Sequence, residues 1–598
     1  MSAGGTNPPA KHAAARGEER KRAARPQPRR DRADAGGSRP AGPLPIAPPG
    51  PSARASRLWL VAIVLAAAAL RLYRLDLSPP GLNQDEAISA WISWCLFKTG
   101  RDMTGQAWPI FYGHGIGDYP ATLYFYTLIP FQALGGLNVW TTRLAAAVSG
   151  IVCVPLLYWV GARMFGRLAG LLAAAMLAVN AWHLFLSRFG VGAHQCALFA
   201  LLVLALLLRA RLPLADGPEE PPRPAWAALA GLTAGIACYG FQPLRLYFPF
   251  LFLLLVASDP AAWWALRRSR VGIASVLGLA LGFAVTAGPL ALRHLTDPVI
   301  GHRWEMTRLW EPGTPLPRII ALVLGRYAAH FHPDFLFARG DLFEIVKPIG
   351  QGEFAWYLLP CMLAGLAIAG TQARASRAAR VLLALLAAYP AGDVISRYVS
   401  VHALRSAPGI PALVMLGALG AAGAWQWLRA RSRPLAVAAA FTLALAAVVL
   451  DGRFLFRYFG EYNRRIEIYH GYQADLVEAT RWLEPRLRDA DQVFFTTIGM
   501  NEPWAITLVT LAHEPRRWFA EPRDMRVVGE WEVCVRYGRM HFMYRGLWEP
   551  DYKRLDADGV PQHAWFVVRP GELDLENPVY VVRRPDGSDA LWICELTI

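Results

Sequence analysis

The sequence predicts an α-helical polytopic membrane protein with about eleven transmembrane helices and a C-terminal soluble α/β domain. Two observations carry the membrane part. The 598 residues are 54% hydrophobic and only 18% charged. Apolar runs of roughly 17–25 residues, the length that crosses a bilayer core, recur between residues 57 and 451. A third observation carries the rest: beyond residue 454 the long runs stop, and short strand-like stretches separated by turn residues take over.

The first element is a basic arm, residues 1–56, rich in Arg, Pro, Gly and Ala and without apolar periodicity, which is expected to be disordered. From Lys11 to Arg57 twelve Lys or Arg stand against four acids, so the stretch through the first residue beyond the arm holds +8 of the formal +16 net charge. A basic arm is one signature of nucleic-acid binding. A basic flank ahead of a first membrane helix, however, keeps an N-terminus cytoplasmic, and no nucleic-acid partner is inferred. No convincing cleavage site follows the first apolar run, which reads as an uncleaved helix.

The candidate spans are roughly 57–75, 119–134, 141–162, 168–187, 195–212, 226–241, 244–257, 271–292, 353–371, 378–396, 407–429 and 434–451. Short basic connections mark the cytoplasmic side: 161–167, 209–224, 264–270, 371–380 and 429–433. They all fall inside only if one early segment fails to cross. The segment 119–134, short, aromatic and flanked by prolines, is the one expected to lie along the outer interface as a juxtamembrane helix. The transmembrane domain is then 57–454, with outer loops 76–140 and 293–352 and a periplasmic domain at 455–598. In that last domain "ADLVEATRWLEPRL" has helical spacing, "QVFFTTI" and "HAWFVV" are strand-like, and "VYVVRRPDGSDALWICELTI" reads as a hairpin. It carries no motif tied to chemistry. The seven cysteines are scattered without a CxxC pair; Cys534 and Cys594 share the C-terminal domain, and spacing does not decide whether they pair.

In the first outer loop "GLNQDEAISAW" sets Asp85 beside Glu86. Arg143, Arg188, Arg245, Arg293, Lys347, His402 and Arg405 fall at or near outer ends of spans, and Asp341 lies in the second outer loop within "RGDLFEIVKP". Snorkelling accounts for any single cation. An ionised side chain in hydrocarbon costs about 3 kcal/mol even on lenient scales, so the whole set points to an outward polar cavity. Carboxylates with clustered Arg and Lys at a membrane surface, without HExxH, zinc-knuckle or Walker sequences, suit a lipid phosphate. If that phosphate carries a sugar, transfer needs a base for the acceptor hydroxyl, while the phosphate departs as an anion that Arg or Lys neutralises. Adjacent helical residues point about 100° apart, so Asp85 is read as the base and Glu86 as orienting the acceptor or supporting the loop. Arg143, Arg188, Arg245, Lys347 and Arg405 are the expected donor-phosphate ligands. Asp118, His194, Asp341 and His402 are further site candidates. No metal or other cofactor is expected.

"RLYRLDLSPPGLNQDEAISAW", "YPATLYFYTLIPFQALGGLNVWTTRLAAAVSG", "GARMFGRLAGLLAAAMLAVNAWHLFLSR" and "GLTAGIACYGFQPLRLYFP" follow one another in an order that resembles membrane glycosyltransferases of the C-type fold. The likeness is to bacterial members of glycosyltransferase family 39, relatives of protein O-mannosyltransferases and of the lipid A aminoarabinose transferase. It extends loosely over about 57–460 and is strongest before residue 260. The resemblance implies a polyprenyl-phosphate monosaccharide donor, an envelope acceptor (protein, lipid A or glycan) and transfer on the periplasmic face of a bacterial inner membrane. It also implies a catalytic acid in the first outer loop. Asp85 matches that acid, Glu86 its companion, and Arg143 an arginine after the juxtamembrane helix. Two departures stand out. The usual acid soon after "LSR" is replaced by Gly192, Ala193 and His194, and a usual His-Pro-Pro by Asp118-Tyr119-Pro120. The principal alternative is a polyprenyl-lipid or sugar transporter, which should show internal repeats that the sequence lacks. An oligosaccharyltransferase would need a metal and a Trp-Trp-Asp signature, and a degenerate member would bind an envelope polymer without catalysis.

Overall fold

In a computed structural model of the chain, residues 50–111, 122–217, 220–297, 305, 307–488, 491–528, 531–545 and 563–597 are described. Most of the basic arm, and Asp118, lie outside them. Helix α1 (Ala53–Leu72) starts where the Ser52 side chain accepts the Ala55 N–H, three residues before the expected end of the arm. Its Leu58, Trp59, Val61 and Leu65 stay exposed, as lipid-facing residues do, because hydrocarbon does not penalise apolar surface. Helices α2 (Gln84–Thr99) and α3 (Thr122–Gly135) fall in the segment 76–140 expected to be the first outer loop, with Gln132 Nε2 donating to the Ala90 carbonyl at 2.9 Å to join them. Helices α4 (Val139–Phe165) and α5 (Arg167–Val179) follow.

Each of the eleven expected crossings coincides with a helix, but they differ in length. Among the described residues six helices are long and apolar enough to cross a membrane: Ala53–Leu72, Val139–Phe165, Gly192–Arg209, Arg270–Thr296, Ala403–Arg431 and Arg433–Gly460. A seventh forms if Leu244–Ser258 and Pro260–Arg268, bent by 89° at Asp259, count as one. Arg167–Val179, Pro224–Ala237 and Leu358–Gln372 are apolar but shorter.

Three boundaries differ from expectation for local reasons. The run 168–187 is broken at Asn180, whose side chain accepts the His183 N–H (2.9 Å) and donates to the Glu353 carbonyl (3.1 Å), so a side chain competes with the helical ladder. The last membrane helix, Arg433–Gly460, runs past 454 because Phe454 and Tyr458 are buried against the core. The second outer loop holds an unanticipated helix, Leu316–Ala329, with Leu316, Ile320 and Leu324 exposed along one face.

The C-terminal domain is a seven-stranded mixed sheet in the order β2-β3-β4-β1-β5-β7-β6. The strands are β1 (Gln492–Thr496), β2 (Arg523–Val528), β3 (Trp531–Tyr537), β4 (Met540–Met543), β5 (His563–Val568), β6 (Tyr580–Arg583) and β7 (Asp589–Thr597). β1 runs parallel to β4 and β5; the other pairs are antiparallel. The helix Ala474–Leu483 and the β6–β7 hairpin fall where the sequence places them. The hydrophobic core of this domain does not stop at its own border. Trp91, Leu96 and Tyr124 of α2 and α3 share one buried cluster with Trp504, Trp518 and Phe542.

All seven cysteines are buried thiols. Cys534 on β3 and Cys594 on β7 are separated by β4, β1 and β5. Four strand spacings amount to roughly 19 Å, beyond the ~7 Å Cα reach of a disulfide. Dithiothreitol is therefore expected to leave the melting temperature of the purified protein unchanged. A reductant-dependent drop would show a bridge.

Candidate active site

The local sequence decides which of the two neighbouring acids faces inward. Asn83 caps α2, its side chain accepting the Asp85 N–H at 3.0 Å, while Glu86 reaches back to the Asn83 N–H at 3.1 Å. This reciprocal capping box fixes the first turn. It turns Glu86 into the protein, where it is fully buried, and leaves Asp85 exposed.

Glu86 meets Arg143 in a two-point ion pair, Nε to Oε1 and Nη2 to Oε2, both at 2.9 Å. Oε1 also accepts the Gly190 N–H at 2.7 Å. A Cβ on residue 190 would stand 3.1 Å from that oxygen and 3.0 Å from the Thr142 carbonyl, so a larger residue would crowd this close approach of the backbone. Arg143 gives its remaining N–H groups to the carbonyls of Leu75, Pro79 and Gly81. All five of its donors are used inside the fold. Arg188 donates through its two terminal nitrogens to the carbonyls of Leu70, Arg71, Arg74 and Ser78, at the end of α1 and just beyond it.

These contacts bear on three of the expected site residues. Arg143 and Arg188, expected on the donor phosphate, are fully buried scaffold residues. Glu86, expected either to orient an acceptor or to support the loop, makes the contacts of the second role.

The other cations are half-buried. Arg245 donates Nε to the Cys238 carbonyl (3.1 Å) and lies 3.2 Å from His294 Nε2. Arg405 sits over the Tyr398 ring at 5.7 Å. The two belong to one region: a Cβ on Gly392 would meet Pro243, two residues before Arg245, at 2.6 Å and the Arg405 carbonyl at 2.7 Å. Lys347 pairs with Glu344, which also accepts Arg465 at 2.7 Å.

Asp341 and His402 meet as a buried pair, Nδ1 to Oδ2 at 3.0 Å, and the same Oδ2 accepts the Ala403 N–H at 2.8 Å. Tyr398 stacks on the His402 ring at 4.2 Å. Asp393, which the sequence reading did not single out, accepts from Arg326 Nε (3.1 Å) and the His402 N–H (3.2 Å), with His330 Nε2 at 3.4 Å. Nothing in its flanking sequence, "YPAGDVIS", signals that role.

His194 joins the two groups. It follows Gly190, hydrogen-bonds through Nδ1 to the Val191 carbonyl (2.7 Å), and its short helix Gly192–His194 packs on Ala403–Ser406. Among the described residues its buried Nε2 has no hydrogen-bond partner, and neither has the buried hydroxyl of Tyr124, whose ring stands edge-on 5.3 Å away. Among the described residues no three His, Cys, Asp or Glu side chains gather to hold a metal.

The site is thus an exposed acid on a braced helix of a bundle of apolar helices, with half-buried cations at Arg245, Lys347 and Arg405. Comparison with known proteins shows what the chain is similar to. Residues 102–273, less than a third of the chain, match the model of the PMT family, dolichyl-phosphate-mannose-protein mannosyltransferase. No curated protein matches the sequence. Three solved structures are similar at low identity. ArnT from Cupriavidus metallidurans bound to undecaprenyl phosphate is 15% identical, with 86% of this chain and 94% of that one aligned at a TM-score of 0.48. The Archaeoglobus fulgidus oligosaccharyltransferase tethered with an acceptor peptide is 13% identical over 77% of this chain and 64% of that one, at a TM-score of 0.49. The arabinofuranosyltransferase AftD from Mycobacteria is 15% identical over 91% of this chain and 36% of that one, at a TM-score of 0.40.

Proposed function

We propose that the chain is an integral membrane glycosyltransferase that moves a monosaccharide from a polyprenyl-phosphate donor to an envelope acceptor on the periplasmic face. The observation that carries this reading is the division of labour between two adjacent acids. Glu86 is consumed by Arg143, Gly190 and Asn83, which immobilises α2. Asp85 is left exposed on the rigid first turn of the helix. A general base needs that combination of fixed position and access. The match of residues 102–273 to a family named for transfer from a lipid phosphate supports the substrate class.

In this reading Asp85 takes the proton of the acceptor hydroxyl as its oxygen bonds to the sugar's anomeric carbon. The bond from that carbon to the phosphate oxygen breaks, and the electron pair leaves on the lipid phosphate. Arg245, Lys347 and Arg405, the expected phosphate ligands that are not buried, are the cations left to receive it. The orientation, N-terminus inside and C-terminal domain outside, follows from the basic short loops.

The test uses the purified full chain in lipid nanodiscs with a panel of undecaprenyl-phosphate monosaccharides, hexose and pentose, and envelope extracts as acceptor. Release of undecaprenyl phosphate, read by mass spectrometry, is expected from at least one donor. Donors that stay intact while crossing the bilayer of sealed vesicles would overturn the reading in favour of transport.

A further inference from the structure

A cavity of about 870 Å³ runs between α5, the helices Leu358–Gln372 and Ile410–Arg431, and the last membrane helix, Arg433–Gly460. Asp85, Arg245, Lys347 and Arg405 are not on its walls. The last helix turns its large side chains away from the bundle: Val437, Phe441 and Leu445 are exposed. Its cavity face carries Ala436, Ala440 and Ala444 at one-turn spacing, and the preceding helix contributes Ala424. Faces of small residues ordinarily let membrane helices close on one another. Here they stay open. Ala436 is buried, but Ala440, Ala444 and Ala424 remain exposed. Only 11% of the apolar window of the last helix is buried, against 89% for the span Ala403–Arg431. The helix is held at its ends instead. Ser432 alone joins it to the helix before, and at the other end Tyr357 donates its hydroxyl to Asp451 Oδ2 (2.8 Å) while Phe454 and Tyr458 are buried. Between those ends lies a groove.

The groove matches a bilayer in length. From Arg433 to Asp451 the helix rises about 27 Å, close to the ~30 Å thickness of the hydrocarbon layer. With Arg429, Arg431 and Arg433 at one boundary, Asp451 stands at the other, which is the outer one in the orientation proposed above. The stretch from Ala436 to Asp451 is about 22 Å long, the reach of an extended acyl chain. Among the described residues Asp451 is the one charged side chain on the groove wall. It is buried, and its hydrogen-bond partner is the neutral Tyr357 hydroxyl. Ionisable groups at such depths are costly and are kept where a partner meets them. An anionic head, such as a lipid phosphate, would find a carboxylate there and no cation, so the groove does not suit the sugar donor. A positively charged head would find its complement.

We propose that this groove binds a membrane phospholipid with a primary-ammonium headgroup, its acyl chain lying between the last helix and the bundle and its ammonium donating to the Asp451 carboxylate. The lipid fills the space that the alanines leave and packs the helix that leads into the C-terminal domain. Binding needs no sugar transfer and is tested without it.

The full chain in detergent is mixed with equal amounts of phosphatidylethanolamine, phosphatidylglycerol and undecaprenyl phosphate, and bound lipids are counted by native mass spectrometry. One phosphatidylethanolamine is expected to stay bound, preferred over phosphatidylglycerol by about 10-fold, the size of one charge-assisted hydrogen bond. Asp451→Asn, whose amide oxygen still accepts from Tyr357, is expected to keep a lipid and lose the preference. Ala440→Phe/Ala444→Phe, which fills the groove, is expected to lose the lipid. Equal retention of the two phospholipids by the wild type, an undiminished preference in Asp451→Asn, or stronger retention of undecaprenyl phosphate overturns the proposal. A phosphatidylethanolamine with a diazirine in its acyl chain then places the lipid on the wild-type protein. Crosslinks within residues 420–428 and 436–455 support the groove, and crosslinks confined to other helices overturn it.

Discussion

Asp85→Asn is expected to lower sugar transfer by about 10²–10⁴-fold, the range that a lost general base accounts for, while expression, membrane insertion and melting temperature stay at wild-type values. The structural part of this expectation follows from exposure. Asp85 sits on the outer side of the first turn of α2, and its backbone N–H, not its side chain, completes the Asn83 cap. An amide of the same size keeps that turn intact. The chemical part follows from the leaving group. A phosphate departs without a proton, so the only proton that must move is the acceptor's, and one base carries the chemical step. The measurement is turnover of an undecaprenyl-phosphate sugar by purified wild-type and variant protein, with thermal unfolding followed in parallel. Unaltered turnover in a folded variant would remove Asp85 from the role.

The helices of the membrane domain were legible because lipid imposes one strong rule, a long apolar run: each of the eleven runs expected to cross coincides with a helix, and among the described residues six of those helices are long and apolar enough to span a membrane. Their ends were less legible. Asn180 and the Phe454–Tyr458 stretch shift boundaries through tertiary contacts that no local pattern encodes. The site divided in the same way. Asp85 and Glu86 were visible as an unusual acidic step after an apolar run, and their opposite orientations followed from helical geometry. Arg143 and Arg188 look, in sequence, like Arg245 and Arg405: single arginines at span ends. What separates them is whether unsatisfied carbonyls lie within reach, and the carbonyls that bind Arg188 belong to a segment more than 100 residues earlier. β2 and β3 went unseen because charged residues interrupt their apolar alternation, and β4, Met540–Met543, because it is only four residues long; Arg523, Asp524 and Arg526 stand on the edge strand, where charge discourages pairing with another chain.

Separating Glu86 from Arg143 should damage the fold more than any change at the exposed acid. Both side chains are wholly buried, and removing one partner of such a pair leaves an uncompensated charge, a cost of about 3–5 kcal/mol. The two single variants are not equivalent. Arg143→Met strands Glu86 and also leaves the carbonyls of Leu75, Pro79 and Gly81 without their donor. Glu86→Gln keeps one carbonyl oxygen for Gly190 or Arg143, but its amide turns hydrogens toward groups that are themselves donors. Arg143→Met is therefore expected to be the more destabilised, and the double variant Glu86→Gln/Arg143→Met to lose clearly less than the two single losses added together, since neither charge is then left alone. Thermal unfolding of the detergent-purified proteins, monitored by size-exclusion recovery, measures all four corners of the cycle. Losses that simply add would mean that the ion pair does not hold α2 in place. Asp85 would then stand on a flexible turn, and the fixed position required of a base would be gone.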